Sequence, residues 1–236
     1  MHLAGNQMKS IARSMRRAIG RTPMQGVIRE LNMRGFPLAT RNCLEVFGGT
    51  GERHTIDYGG RTGSLEIWEI QPGNVRALRQ RFPTATVEMV DSYEQVRTTE
   101  RHFDCVVVDN PPFGVFGDHC EHFDLLPDLF RVLNDEAVLI LNVIPDLTLL
   151  DTKVTRLEEH RRRRAAFYGA PGDHISLTHM AEVYVAIARA SGFDVEWWSA
   201  RRRGVVWYLT LKVRRHMQSP QVRAERGRMR SVHART

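Results

Sequence analysis

The chain has 236 residues, enough for one domain of ordinary size with additional terminal segments. Its 42% hydrophobic content can supply a sizeable core, and no apolar run approaches the roughly 18 residues that a membrane-spanning helix needs. The three cysteines form no disulfide framework, which favours a reduced, cytoplasmic environment.

The net charge of +7 is distributed unevenly. Residues 1–40 sum to +6 and residues 201–236 to +10, whereas residues 41–200 sum to −9. This pattern indicates basic terminal segments around an acidic, enzyme-like core, and the basic segments favour a polyanionic partner such as nucleic acid. The first 29 residues contain no acid, as in mitochondrial transit peptides, so a mitochondrial location is the alternative to a cytoplasmic one.

Residues 1–40 are expected to form a basic helical extension. Apolar residues three and four positions apart predict an amphipathic helix over 8–20, and a second helix is expected over 24–34. We expect the main domain to occupy 41–215. The last segment, 216–236, has little apolar content and is expected to be a disordered basic tail.

The first predicted core strand, 42–47, runs directly into a glycine-rich loop. Glycines directly after a strand allow a nucleotide-type ligand to approach the backbone closely. The candidate ligand contacts here are Glu45, Phe47, Gly48, Gly49, Thr50 and Gly51. The segment that follows, 52–63, is short, polar and rich in glycine.

The second predicted strand, 64–70, carries an acid near its end. Glu69 lies 18 residues after Gly51, and an acid about 20 residues beyond a glycine loop can bind both ribose hydroxyls of a nucleoside. The structural alternative is a charge placed near the dipole of the following helix. The upstream loop favours ribose binding, and the neighbouring Ile70 belongs to the same candidate site.

Asp91 and Ser92 follow a third short strand, predicted over 86–90. This polar pair could reach the edge of an adenine ring. Asp91 could equally cap the helix predicted over 92–98. The two roles are compatible with each other.

The fourth predicted strand, 103–108, ends at the unusual sequence Asp109-Asn110-Pro111-Pro112-Phe113. Open α/β sheets bind ligands at the carboxyl ends of their strands. A side-chain amide, a stiff backbone with exposed carbonyls and an aromatic face are together suited to gripping a planar NH2 group. The candidate catalytic residues are therefore Asn110, Pro111, Pro112 and Phe113.

The remaining pattern predicts a doubly wound α/β fold. Helices are expected over 121–133 and 180–191, a fifth strand over 137–144, and a terminal hairpin from strands 194–198 and 205–213. Strands that alternate with helices and then end in a hairpin give a mostly parallel sheet with an antiparallel C-terminal strand.

The two motifs together resemble the class I S-adenosylmethionine-dependent methyltransferases. The pattern Glu45-x-Phe47-x-Gly49-x-Gly51 has phenylalanine where the usual motif has its first glycine. Followed by Asn-Pro-Pro-Phe, it is similar to the amino-methyltransferase branch, which modifies DNA and RNA bases and protein glutamine. The resemblance covers 42–145 well and 180–213 in outline. It implies a seven-stranded Rossmann-like methyltransferase sheet and S-adenosylmethionine as the cofactor.

The resemblance also implies roles in the donor site. Glu45 and the loop from Phe47 to Gly51 would hold the methionine part of the donor. Glu69 would bind the ribose and Asp91 the adenine.

For the acceptor, the resemblance implies that Asn110 and the Pro111 carbonyl accept hydrogen bonds from a target NH2, while Phe113 stacks on its planar group. Asn110 is also assigned to the donor site. An exocyclic amine is a poor nucleophile because its lone pair is delocalised into the ring. Two acceptors aimed at its hydrogens favour a more tetrahedral nitrogen, so positioning and electrostatics would supply most of the rate.

Residues 146–178 lie where this class often places substrate-recognition insertions. The candidate substrate contacts there are Arg161, Arg162, Arg163, Arg164, Phe167 and Tyr168. Arginines could bind phosphates and the two rings could stack a base. The alternative is a solvated helix face whose arginines pair with Glu158, Glu159 and nearby acids. The chain is too short for a separate DNA-recognition domain, so RNA is favoured over DNA.

Other functions stay open. A protein side chain or a small-molecule amine could be the acceptor, or the chain could be a non-catalytic binding module, which the polar segment 52–63 favours. The sequence 65–72 and its spacing to Asp109 also resemble aminopropyltransferases of the spermidine synthase type, whose catalytic Asp region is here occupied by Pro111 and Pro112. The cluster 118–122 matches no structural zinc pattern and predicts a substrate-lining loop or a helix start, so no metal is expected.

Overall fold

The computed structural model describes three stretches of the chain: residues 22–108, 114–149 and 157–216. The predicted helix over 8–20, the motif Asn110–Phe113 and nearly all of the basic tail lie outside the described residues. The predicted domain limits, including the insertion 146–178, stay predictions.

The strands of the described stretches are β1 (Asn42–Val46), β2 (Ser64–Glu69), β3 (Thr86–Met89), β4 (Phe103–Val108), β5 (Val115–Phe116), β6 (His119–Cys120), β7 (Leu133–Val143), β8 (Phe193–Arg203) and β9 (Val206–Arg215). The α-helices are α1 (Pro23–Met33), α2 (Thr55–Tyr58), α3 (Pro72–Arg81), α4 (Ser92–Thr98), α5 (Leu157–Tyr168) and α6 (Leu177–Ala190). Four 3₁₀ segments complete these stretches: Leu38–Thr40, Phe123–Leu125, Asp128–Val132 and Leu147–Leu149.

In the described residues, seven strands form one sheet in the order β3-β2-β1-β4-β7-β9-β8. Neighbours from β3 to β7 are parallel, and β9 runs antiparallel to both β7 and β8. The prediction of a mostly parallel, doubly wound sheet with a reversed C-terminal strand is confirmed. The strand order reverses between β1 and β4, which is where open α/β sheets leave a crevice for a ligand.

Helices cover both faces of the sheet. One core lies under α1 and α3, with Leu31 and Leu78 fully buried. The other lies under α4, α5 and α6, with Val96 and Tyr184 fully buried. Burial on both faces explains why β4 has the apolar sequence that predicted it. None of the helices in the described residues has the length and apolar character needed to span a bilayer.

One predicted helix is wrong. Residues 121–133 form two short 3₁₀ segments instead of a continuous α-helix. Pro127 lies between them, and proline both lacks an amide hydrogen and disfavours the α conformation of the preceding residue. The strand that follows also begins earlier than predicted, at Leu133 instead of Ala137.

Candidate active site

A cavity of about 570 Å³ opens at the carboxyl ends of β1, β2 and β3, within the size range of small-ligand sites. It is lined by Phe47, Gly48, Gly49, Thr50, Gly51, Glu52, Arg53, Glu69, Ile70, Gln71, Asn74, Asp91, Ser92, Tyr93, Phe116 and His119. The loops after three successive strands therefore meet at one site, together with the β5–β6 hairpin.

The loop after β1 combines close approach with unusual backbone conformation. Gly51 has φ 68°, and a Cβ there would lie 2.5 Å from the Phe82 ring, so a larger residue would displace α3 or the loop. Phe47 has φ 62° although it is not glycine. For a bulky residue this left-handed backbone conformation is unfavourable, and it persists only where the surroundings hold it, commonly at functional sites. The Phe47 ring is held against Tyr93, with centroids 5.4 Å apart.

Glu69 lies at the end of β2 with 6% of its surface exposed. The Gly49 amide donates to its Oε2 at 2.7 Å, and the Gln71 amide donates to its Oε1 at 2.7 Å. These bonds fix the carboxylate at the cavity wall. Each carboxylate oxygen can accept more than one hydrogen bond, so both can still accept from a diol.

Asp91 combines the two roles that its sequence position predicts. Its Oδ1 accepts the Tyr93 amide hydrogen at 2.8 Å and caps α4. It also lines the cavity beside Ser92, one strand further along the sheet than Glu69.

An aromatic wall, formed by Tyr93, Phe116 and His119, faces the cavity from the β5–β6 side. The His119 ring stacks on Tyr93 with centroids 3.9 Å apart and an interplanar angle of 15°. The Tyr93 hydroxyl donates to the Glu121 carbonyl at 2.6 Å, and burial raises the pKa of Tyr93 well above its usual value. The sequence interpretation did not include Tyr93 or Phe116. It anticipated His119 only as part of a substrate-lining loop.

Comparison with known proteins gives matches to solved structures. No family model and no curated protein matches the chain. Magnesium protoporphyrin IX methyltransferase from Synechocystis, solved with bound S-adenosylhomocysteine, has a TM-score of 0.51 and 14% identity over 81% of each chain. The 1,6-didemethyltoxoflavin N1-methyltransferase of Burkholderia thailandensis was solved with bound 1,6-didemethyltoxoflavin and S-adenosylhomocysteine. It also has a TM-score of 0.51 and 14% identity. That match covers 91% of this chain and 88% of the other.

The chain has the class I methyltransferase fold. Its cavity lies at the edge of the methyltransferase sheet where a ligand is expected. Nine of the eleven predicted donor contacts line it: Phe47, Gly48, Gly49, Thr50, Gly51, Glu69, Ile70, Asp91 and Ser92. The tenth, Asn110, lies outside the described residues.

Glu45, the eleventh residue predicted to contact the methyl donor, does not line the cavity. Its side chain is fully buried below the loop. The Thr55 hydroxyl donates to its Oε1 at 2.6 Å, and the Tyr58 hydroxyl donates to its Oε2. Because Glu45 is fully buried and does not line the cavity, its position argues against direct contact with the methionine part of a donor, and that role stays a prediction.

Helix α5 carries the predicted arginine-rich substrate contacts, and three of the four arginines are engaged within the fold. Arg161 donates to Asp173 at 2.8 Å, and Arg163 donates to Asp124 at 3.1 Å. Arg164 is buried, and burial lowers its pKa. Its guanidinium donates to three backbone carbonyls, those of Ile144, Pro145 and Gly172. The alternative of pairing with nearby acids therefore describes Arg161 and Arg163. Neither expectation describes the buried Arg164, and Arg162 is exposed.

The two aromatic residues of α5 pack against the core, Tyr168 buried and Phe167 half-buried. Phe167 stacks on Phe123 with centroids 4.5 Å apart, and Tyr168 is only 3% exposed. The Tyr168 hydroxyl contacts that of Tyr184 at 2.7 Å. Because Tyr168 is enclosed and Phe167 stacks on Phe123, this packing does not favour base stacking by the two rings, and that role stays a prediction.

The cluster 118–122 does not converge on one point. His119 faces the cavity, whereas the Glu121 carboxylate contacts His160 at 3.0 Å. His122 is buried against Tyr184, and burial lowers its pKa to about 4. Within the described stretches, no group of three His, Cys, Asp or Glu residues is arranged to hold a metal ion.

Proposed function

We propose that the chain is an S-adenosylmethionine-dependent methyltransferase. The observation that carries this proposal is the placement of Glu69, whose carboxylate is fixed at the cavity wall by the Gly49 and Gln71 amides. A carboxylate held in this way suits a ribose diol, and Asp91 lies on the adjacent strand end for an adenine edge. Both structural matches were solved with bound S-adenosylhomocysteine, which supports the same ligand here.

The residues present fit the proposed donor. The loop Gly48–Gly51 would allow close approach of the methionine part, Glu69 would accept from the ribose, and Asp91 and Ser92, which also line the cavity, would face the adenine. When bound, S-adenosylmethionine supplies a methyl group on a sulfonium. The chain's contribution is to orient donor and acceptor, because positioning supplies most of the rate in such a transfer.

The proposed acceptor is an amino nitrogen. β4 ends at Val108, which pairs with Val46 at the end of β1, so Asn110–Phe113 follow the strand end next to the donor loop. Asn110 and the Pro111 carbonyl would accept hydrogen bonds from the target NH2. After methyl transfer the extra proton would leave the product nitrogen, so a strong base is not required beforehand.

We place this amino nitrogen on a nucleic-acid base, with RNA favoured over DNA. The support comes from the chain ends: residues 1–21 and 217–236 contain ten Lys and Arg and one acid. Such segments bind phosphate backbones without reading sequence. A protein side chain or small-molecule amine is the second candidate. This second candidate gains support from Arg161, Arg163 and Arg164, which were expected to bind phosphates and instead bind groups within the fold.

Incubation with methyl-labelled S-adenosylmethionine and separate RNA, DNA and protein fractions tests the proposal. We expect label in RNA, loss of label with Asn110→Ala, and weaker RNA labelling after removal of 217–236. Label that enters only protein would overturn the nucleic-acid acceptor. Failure of the wild-type chain to bind S-adenosylhomocysteine would overturn the methyltransferase proposal itself.

A further inference from the structure

We propose that Glu45 is a positioning residue that holds the ribose end of the donor site without contacting the donor. This inference rests on the proposed function, because it concerns how the proposed S-adenosylmethionine site is held in place. The methyltransferase resemblance assigns Glu45 a direct contact with the methionine part. The buried contacts of its carboxylate assign it a different role.

The Glu45 carboxylate binds one short segment of the chain, 54–58. The Thr55 hydroxyl donates at 2.6 Å, the Tyr58 hydroxyl donates to the other oxygen, and His54 Nε2 lies 3.5 Å from Oε1. All three partners are buried. Hydrogen bonds to a buried carboxylate are strong and costly to break, so they fix this segment relative to β1.

Segment 54–58 needs such an anchor. Its helix α2 has four residues. A single turn is unstable by itself, because the conformational entropy lost in forming it exceeds the free energy gained from its first hydrogen bond. Other elements hold it from outside: the Thr22 hydroxyl donates to Asp57 at 2.9 Å, and Arg203 lies 3.4 Å from His54. Glu45 links the segment to β1, the strand that leads directly into the glycine-rich loop.

A chain of backbone hydrogen bonds connects this segment to the ribose-binding carboxylate. The Ile56 amide donates to the Gly51 carbonyl at 3.2 Å, and the Gly51 amide donates to the Gly48 carbonyl at 3.0 Å. Within that same turn, the Gly49 amide donates to Glu69 at 2.7 Å. Movement of the anchored segment therefore moves Gly49 and releases one oxygen of Glu69.

Two ligands that share adenosine separate positioning from direct contact. S-adenosylhomocysteine carries an amino-acid group, whereas 5′-methylthioadenosine lacks it. If Glu45 positions Glu69, then Glu45→Gln, Thr55→Val and Tyr58→Phe each weaken both ligands by a similar factor. We expect about tenfold, because one hydrogen bond to a charged group is lost. If Glu45 contacts the donor directly, only S-adenosylhomocysteine binding weakens.

Calorimetry with both ligands is combined with hydrogen exchange at the Gly49 amide, which needs no ligand. We expect faster Gly49 exchange in the Glu45 and Tyr58 variants. Glu66→Gln is the matched control: it removes another buried acid of the sheet, one that contacts Trp68 and Arg101, and it should change neither readout.

Unchanged Gly49 exchange, or weakening confined to S-adenosylhomocysteine, would overturn the positioning role. Should Glu45→Gln fail to fold, Tyr58→Phe and Thr55→Val decide the question, since each deletes one hydroxyl that donates to Glu45 and keeps the carboxylate. A wild-type chain that binds neither ligand would instead refute the proposed function, and Gly49 exchange would still decide the role of Glu45.

Discussion

Substitution of Glu69 by glutamine should remove most of the affinity for the donor. The carboxylate receives one amide hydrogen bond on each oxygen, from Gly49 and from Gln71, both at 2.7 Å. Glutamine has one oxygen and one NH2 group. In either orientation its NH2 faces a backbone amide donor, so one loop contact is lost together with one acceptor for the ribose.

The size of the effect follows from these two losses. A hydrogen bond to a charged group contributes about 1.5–3 kcal/mol. Loss of one ribose contact, with displacement of the loop, should cost about 3 kcal/mol, which corresponds to roughly a 100-fold weaker complex. Because the charge is also lost, the second ribose contact weakens as well.

Titration calorimetry with S-adenosylhomocysteine measures this loss. Glu52→Gln is the control, since it removes the same charge from the cavity wall; Glu52 is exposed and pairs with Arg81 at 2.7 Å, so we expect a change of less than about twofold. An analogue without ribose hydroxyls should bind the wild type weakly and should lose less affinity than S-adenosylhomocysteine in Glu69→Gln, because only the loop displacement affects it. If folded Glu69→Gln binds S-adenosylhomocysteine within about twofold of the wild type, the ribose assignment is wrong.

Three further predictions concern other parts of the fold. Asp91→Ala should weaken S-adenosylhomocysteine binding, and loss of the α4 cap should lower the free energy of unfolding by about 1 kcal/mol. Asp91→Ser should restore the stability and leave the binding weak. Equal binding by both variants and the wild type in calorimetry would contradict the adenine role. Arg164→Met should lower the free energy of unfolding by about 3 kcal/mol in urea titrations, because one buried and two part-buried carbonyl bonds lose their charged hydrogen-bond donor. It should leave S-adenosylhomocysteine binding unchanged, and wild-type stability would refute the expectation. Burial lowers the pKa of His122 from 6.5 to about 4, so the unfolded chain binds more protons between these values, and stability present above pH 6.5 should fall by about 3 kcal/mol as the pH drops toward 4. Urea titrations at pH 7 and 4.5 should show a smaller fall for His122→Asn, and an equal fall in variant and wild type would contradict the assignment.

The sheet and most of the residues that line the cavity were predictable because local signals determine them. The apolar run of β4 indicates a strand buried on both faces, and glycines after β1 with an acid after β2 indicate the ligand edge. Capping chemistry correctly indicated that α4 follows Asp91. Each of these features depends on residues close together in the sequence.

The role of Glu45 was not predictable from its motif. Side chains alternate along a strand, and Glu45 shares its face with Cys43, which packs into the core under α1 and α3. The glycine pattern of the loop does not show whether the Glu45 side chain points toward the cavity or into the core. The partners of the segment beside it are also distant, since Arg203 lies 149 residues from His54.

The buried face of α5 was missed for a different reason. His160, Arg164 and Tyr168 recur at helical spacing and are all buried, although the first two are polar residue types that periodicity analysis assigns to solvent. Their partners are the Glu121 carboxylate, backbone carbonyls and the Tyr184 hydroxyl. A buried polar face satisfied by such long-range contacts has no local sequence signal.

A crystal structure of the chain with S-adenosylhomocysteine tests the central claim most directly. We predict that the ribose hydroxyls lie within hydrogen-bonding distance of Glu69, the adenine edge faces Asp91, and the homocysteine part follows the loop Gly48–Gly51, with Glu45 still bound to Thr55 and Tyr58. Binding elsewhere on the chain, or a ribose that does not contact Glu69, would contradict the account.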